Sequence, residues 1–65
     1  MKYKGTMSLQ WEDGSECFAE VSVDGSENEA WGIFVWVCRG ALMASNAQFA
    51  TMWNEEGFEI CKYQK

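Results

Sequence analysis

Ala30-Trp31-Gly32-Ile33-Phe34-Val35-Trp36-Val37-Cys38 is apolar at nearly every position, and its reading decides the fold. A run apolar on both sides predicts a central β-strand covered on both faces, or a strand whose second face meets a partner. Gly32 inside it predicts a bulge or the close approach of another backbone. The preceding segment, Asp24-Gly25-Ser26-Glu27-Asn28-Glu29, has no apolar residue and reads as a loop.

Towards the amino terminus, two alternating runs flank Glu12-Asp13-Gly14-Ser15. In the first, Tyr3, Met7, Leu9 and Trp11 share one face with Gly5, while Lys2, Lys4, Thr6, Ser8 and Gln10 share the other. In the second, Cys17, Ala19, Val21 and Val23 alternate with Phe18, Glu20 and Ser22. Period two marks half-buried strands and Asp13-Gly14 supplies the positive φ of a tight turn, so the pair predicts a β-hairpin.

On the carboxy-terminal side, Ser45 and Gln48 have capping-box spacing, and Phe49, Met52 and Trp53 fall at i, i+3 and i+4. Together they predict a helix that stops at Gly57. Glu55 and Glu56 then sit at the helix end where the dipole disfavours negative charge. Residues 58–65 read as a last strand beside the central one. The expected architecture is one α+β domain over residues 1–65. It is a small, mostly antiparallel sheet of three to four strands in the order β-β-β-α-β, with one helix packed on one face. A single helix leaves the other face uncovered. Phe18, one side of residues 31–38 and Tyr63 would form an interaction patch or a homodimer interface there, unless sheet curvature and the long loops bury them.

Composition narrows the function. The 65 residues carry ten acids, five bases, no His and no Pro, for a net charge of −5. The chain has no room for a second domain, and its longest apolar run is too short to span a bilayer, so no membrane role is expected. Without His the usual general base is missing, and the adjacent acids Glu12-Asp13 and Glu55-Glu56 read as solvated, so neither an enzyme nor any catalytic residue is expected. Cys17, Cys38 and Cys61 are odd in number, far apart and without a Cys-x-x-Cys pair. They predict buried thiols in a reducing cytoplasm, with no disulfide framework and no zinc site. Residues 24–29 lack the calcium-loop pattern, so no metal and no cofactor is expected. The lysines at the amino terminus are not followed by an apolar h-region, which predicts no secretory signal.

The charge is unevenly placed. Glu12, Asp13, Glu16, Glu20, Asp24, Glu27 and Glu29 fall within eighteen residues that hold no base. Gathered on one face they would act as a DNA mimic, docking on a bacterial protein with a basic nucleic-acid-binding surface. Scattered over turns and edges they would serve solubility alone. Lys2, Lys4, Lys62 and Lys65 could form a local basic patch, but the net charge opposes direct nucleic-acid binding.

Residues 45–65, with Trp53 near the end of the expected helix and then Gly57-Phe58-Glu59-Ile60 and a basic-polar alternation, resemble the small inhibitor of bacterial RNA polymerase carried by podophages. The resemblance covers about a third of the chain. It implies an acidic sheet-and-helix protein that docks a charged face in the DNA channel of the polymerase near the jaw. Lys62 falls at a basic contact position of the last strand, whereas the next such position holds Gln64. Glu55, Glu56 and the hairpin acids would supply the acidic strip. The expected function is thus a cytoplasmic, phage-type inhibitor of a bacterial nucleic-acid-handling enzyme, with RNA polymerase first and a CRISPR effector or another defence or repair enzyme next. The other reading is a non-inhibitory assembly module that dimerises through the aromatic sheet face.

Overall fold

Ser26 and Glu29 redirect the chain away from the expected order. In the computed structural model, which describes residues 1–65, the Glu29 N–H donates to Ser26 Oγ at 3.2 Å, and the Ser26 hydroxyl donates to Glu29 Oε1 at 3.0 Å. Ser26 is therefore an N-cap, and the S-x-x-E spacing is that of a capping box. The apolar run that follows is helical. The elements are β1 (Lys2–Gln10), β2 (Glu16–Asp24), α1 (Glu27–Ala44), β3 (Phe49–Asn54) and β4 (Glu59–Gln64).

The class is α+β, a four-stranded antiparallel sheet with one helix, as the sequence implied. The order is ββαββ, so two elements exchange identity: residues 30–38 are helix where a strand was expected, and residues 49–54 are strand where a helix was expected. The physical reason is that a run apolar all round carries no visible period. In α1 the buried positions are Ala30, Phe34, Cys38 and Leu42, a four-residue repeat masked by exposed apolar neighbours. Ser45 caps the end of α1: its N–H donates to Leu42 O at 3.4 Å. In β3, Ala50 and Met52 are fully buried beneath the helix, and Phe49, Thr51 and Trp53 alternate with them.

Gly57 is a turn glycine at φ +90°. Asn54 organises that turn, its Oδ1 accepting from the N–H groups of Glu56 (3.0 Å) and Phe58 (2.9 Å). Glu55 and Glu56 therefore lie in a β-hairpin turn, away from any helix end.

The strand order is β2-β1-β3-β4, all antiparallel. Met7, Val23, Ala30, Phe34, Cys38, Leu42, Ala47, Ala50 and Met52 form the core between α1 and the sheet. Gly5 lets the helix approach: a Cβ there would lie 3.1 Å from Trp53 O and 3.4 Å from Phe34 Cε1. Trp31 closes one end, edge-on to Tyr3 at 6.2 Å and tilted on Phe34 at 5.8 Å. Tyr63 pairs in register with Ala50 and so lies on the helix side, not on the open face. The helix does not reach the far end of β2, where Cys17 and Ala19 are exposed although they share the helix-facing register of Leu9 and Met7. No helix is long and apolar enough to cross a membrane.

Candidate interaction surface

The edge strand β2 concentrates the unusual chemistry. Two backbone bonds fix which of its groups are free: Trp11 N–H donates to Ser15 O and Gly25 N–H donates to Met1 O, both at 2.9 Å. Bonded and non-bonded pairs alternate along an antiparallel ladder. The bonded pairs of β1 and β2 therefore fall at odd numbers, and Glu16, Phe18, Glu20 and Ser22 turn their N–H and C=O groups outward from the sheet. The same residues alternate onto the face that α1 does not cover. An outer edge with free backbone groups and side chains on the open face is what an added strand or a docking surface requires.

Glu16, Glu20 and Asp24 stand on that face at four-residue intervals, about 13–14 Å apart. Glu20 has no hydrogen-bond partner or counter-ion, Glu16 accepts from Gln10 Nε2 at 2.6 Å, and Asp24 lies 3.4 Å from the α-amino group of Met1. Phe18, 61% exposed, stands between the first two. Glu12 and Asp13 continue the acidic edge around the hairpin tip, whereas Glu27 opens α1 and lines the end cleft beside Lys2 and Lys4. Hydrogen bonds from the Ser15 hydroxyl (2.6 Å) and N–H (2.9 Å) hold the Asp13 carboxyl below the usual carboxylate range.

The acids thus follow one long edge, and not every candidate joins them. Glu29 is engaged in the N-cap of α1. Glu55 and Glu56 line a shallow cleft of about 320 Å³ with Glu27, Lys2, Lys4 and Trp31. Lys62 lies on β4, the opposite edge, with its Nζ 5.9 Å over the Phe49 ring. Lys2 and Lys4 pair with Asp24 and Ser22, whereas Thr6, Ser8 and Gln10 pair with Glu20, Phe18 and Glu16. No cation therefore stands directly opposite the upper half of the edge, from Glu12 to Glu20, and Lys4 is the diagonal neighbour of Glu20 alone.

Beside Phe18, at the centre of the open face, Ser8 is 1% exposed and its Oγ has no hydrogen-bond partner. Burial pushes the Cys38 thiol up to about 12, with the Cys61 thiol beside it; burial also raises Cys61. Cys17 is exposed, contrary to the expectation that all three thiols are buried. No three acidic or thiol side chains converge as a metal site would require.

The fold and this edge define a sheet-and-helix domain with an acidic outer strand whose far edge is free. Comparison with protein-family models, with curated proteins and with solved structures gives no match. Residues 45–65, which carry the resemblance to the podophage polymerase inhibitor, form a loop and the β3–β4 hairpin and contain no helix. Sequence reading located the acids and left open whether they gather on one face or scatter over turns and edges; Glu16, Glu20 and Asp24 share one face of the outer strand β2. It missed the outward helix residues Ile33 and Trp36, because it took residues 30–38 for a strand, and Met43, which it placed in no element.

Proposed function

We propose that this protein is a small, non-catalytic binding module that docks the acidic β2 edge on a basic, nucleic-acid-binding surface of a bacterial protein and so inhibits it. The observation that carries this reading is the upper edge. Glu12, Asp13, Glu16 and Glu20 lie along one outer strand and its turn, with Phe18 among them and no cation directly opposite them in the neighbouring strand. Such a strip attracts a basic surface over distance, while the free backbone groups and Phe18 supply short-range contacts. The lysines on the open face share it with Glu16, Glu20 and Asp24, which argues against a positive stacking platform for nucleic acid itself.

RNA polymerase, the target the resemblance implies, belongs to this class of partner, as do CRISPR effectors and repair enzymes. A cytoplasmic location fits three thiols in the free form, one of them exposed.

The test is affinity capture from bacterial lysate, then direct titration of each captured protein and of purified RNA polymerase at several salt concentrations. Glu16→Lys with Glu20→Lys should weaken binding at least about tenfold, since each reversal replaces an attraction with a repulsion. Affinity that is independent of salt, or unchanged in the reversed variant, would overturn the acidic-edge reading.

A further inference from the structure

The outer side of α1 has no role in the fold or in the acidic edge. Ile33, Trp36 and Met43 are 44%, 72% and 74% exposed, and Gly32, Gly40 and Ala44 are exposed among them. No carboxylate lies between Glu29 and Glu55. Arg39 is the only charge of that stretch, and its guanidinium is held 5.7 Å from both the Trp36 and Tyr63 rings. A side-chain carbon added at Gly32 or Gly40 would meet nothing within 4 Å. The monomer gives no reason for these two glycines, each of which costs an exposed helix about 1 kcal/mol relative to Ala.

The exposed set has a symmetry. Reversed about position 38, Trp36 falls opposite Gly40, Ile33 opposite Met43, and Gly32 opposite Ala44. A two-fold axis at that level between two antiparallel copies of α1 would set each Trp36 into the notch at Gly40 of the other copy. It would also pair apolar with apolar and small with small. An isologous interface requires such self-complementarity.

Charge selects the same face. Two chains of net charge −5 repel, so self-association is favoured where the centre of the contact holds no carboxylate, as along α1 from Ala30 to Ala44. Antiparallel pairing of β2 with itself would crowd the Glu16, Glu20 and Asp24 carboxylates of two copies onto one face, and like charges opposite each other destabilise a sheet. The outer face of α1 carries one carboxylate, Glu29, which sits at the amino-terminal end of the helix, bonded to Ser26 in the N-cap and two turns from Trp36.

We infer that the protein forms a two-fold homodimer through the outer face of α1, with Trp36 of each copy seated over Gly40 of the other. The face offers on the order of 500 Å² per copy, about 1,000 Å² in the pair, which is the low end for specific association and sets a micromolar expectation. Both acidic β2 edges remain free in this dimer, because they lie on the sheet and the helices form the middle layers. Two edges on one particle would bind a repeated basic surface with avidity.

Sedimentation or light scattering from micromolar to about 0.5 mM protein tests the inference. The parent chain should pass from monomer to dimer across that range. Trp36→Glu and Gly40→Leu should each weaken the dimer at least tenfold while circular dichroism remains native. Gly40→Leu should also raise the Tm of the monomer, because it improves helix propensity at an exposed position. Glu16→Lys with Glu20→Lys should leave the dimer unweakened, which separates this inference from the partner-binding reading. A chain that stays monomeric at the highest concentration, or a dimer that either helix variant leaves intact, would overturn it.

Discussion

Replacing Ser8 with Ala should stabilise this protein. The Ser8 hydroxyl sits in the middle of β1, with Phe18 and Thr51 as its cross-strand neighbours, and it is buried without a hydrogen-bond partner. In the unfolded chain the same hydroxyl is bonded to water. Its burial therefore costs roughly 1–3 kcal/mol that nothing returns. Ala removes that cost and leaves a void of about one oxygen atom, on the order of 15 Å³, worth about 0.4 kcal/mol of lost packing. The net gain is about 0.6–2.6 kcal/mol, a large share of the total of about 3–10 kcal/mol for a chain of this size. Urea and thermal unfolding, followed by the fluorescence of the four Trp residues, should show an upward shift in Tm of about 4–8 °C for each kcal/mol gained, with an unchanged m-value. A lower Tm for Ser8→Ala would refute the reasoning, because it would mean that the hydroxyl makes a stabilising bond in the native state.

Two other outcomes follow from the N-cap and the thiols. Ser26→Ala removes the side-chain partner of the Glu29 N–H and should lower stability by about 1 kcal/mol, read as the midpoint shift in urea. Native protein should react with a thiol reagent at Cys17 alone, and at all three cysteines once unfolded, because Cys38 and Cys61 are held protonated by burial. The same shift makes stability depend on pH. Below pH 9 both states keep the Cys38 proton and its contribution is whole; as pH rises from 9.0 towards about 12, the unfolded thiol ionises while the folded one does not. Stability should then fall by at most about 1.4 kcal/mol per pH unit, and this component of the slope should be absent in Cys38→Ala.

The binding surface and the inferred dimer lie on opposite sides of one sheet. The helix covers β1, β3 and β4 and leaves part of β2 bare. One helix side therefore serves the core, and the other is free to meet a second copy. The end cleft between Lys2, Lys4, Glu27, Glu55 and Glu56 mixes both signs of charge, which makes it a poorer site for steered docking than the purely acidic upper edge.

The sequence by itself determined the first hairpin, the α+β class and the crowding of acids into residues 12–29. In each case the information is local: alternation over nine residues, a Gly at the turn, a run of like charge. It also contained the start of α1, since Ser26 and Glu29 have the same spacing as Ser45 and Gln48. Two capping signatures bracket the apolar segment, and only one of them heads a helix. Local pattern could not choose between them, because residues 30–38 are apolar in every direction and Phe49, Met52 and Trp53 fit a helical stripe as well as an alternating strand. The tertiary structure decided it through pairing. With β3 against β1, Ala50 and Met52 close the core under Phe34, and Ser45 is left to cap the end of α1. That exchange also decided the fate of the charge and the aromatics. It made β2 an outer strand with free backbone groups, and it moved Trp36 from an expected sheet face to the outside of a helix. Long-range strand pairing fixes which apolar residues are covered, and no window of the sequence contains both partners of such a pair.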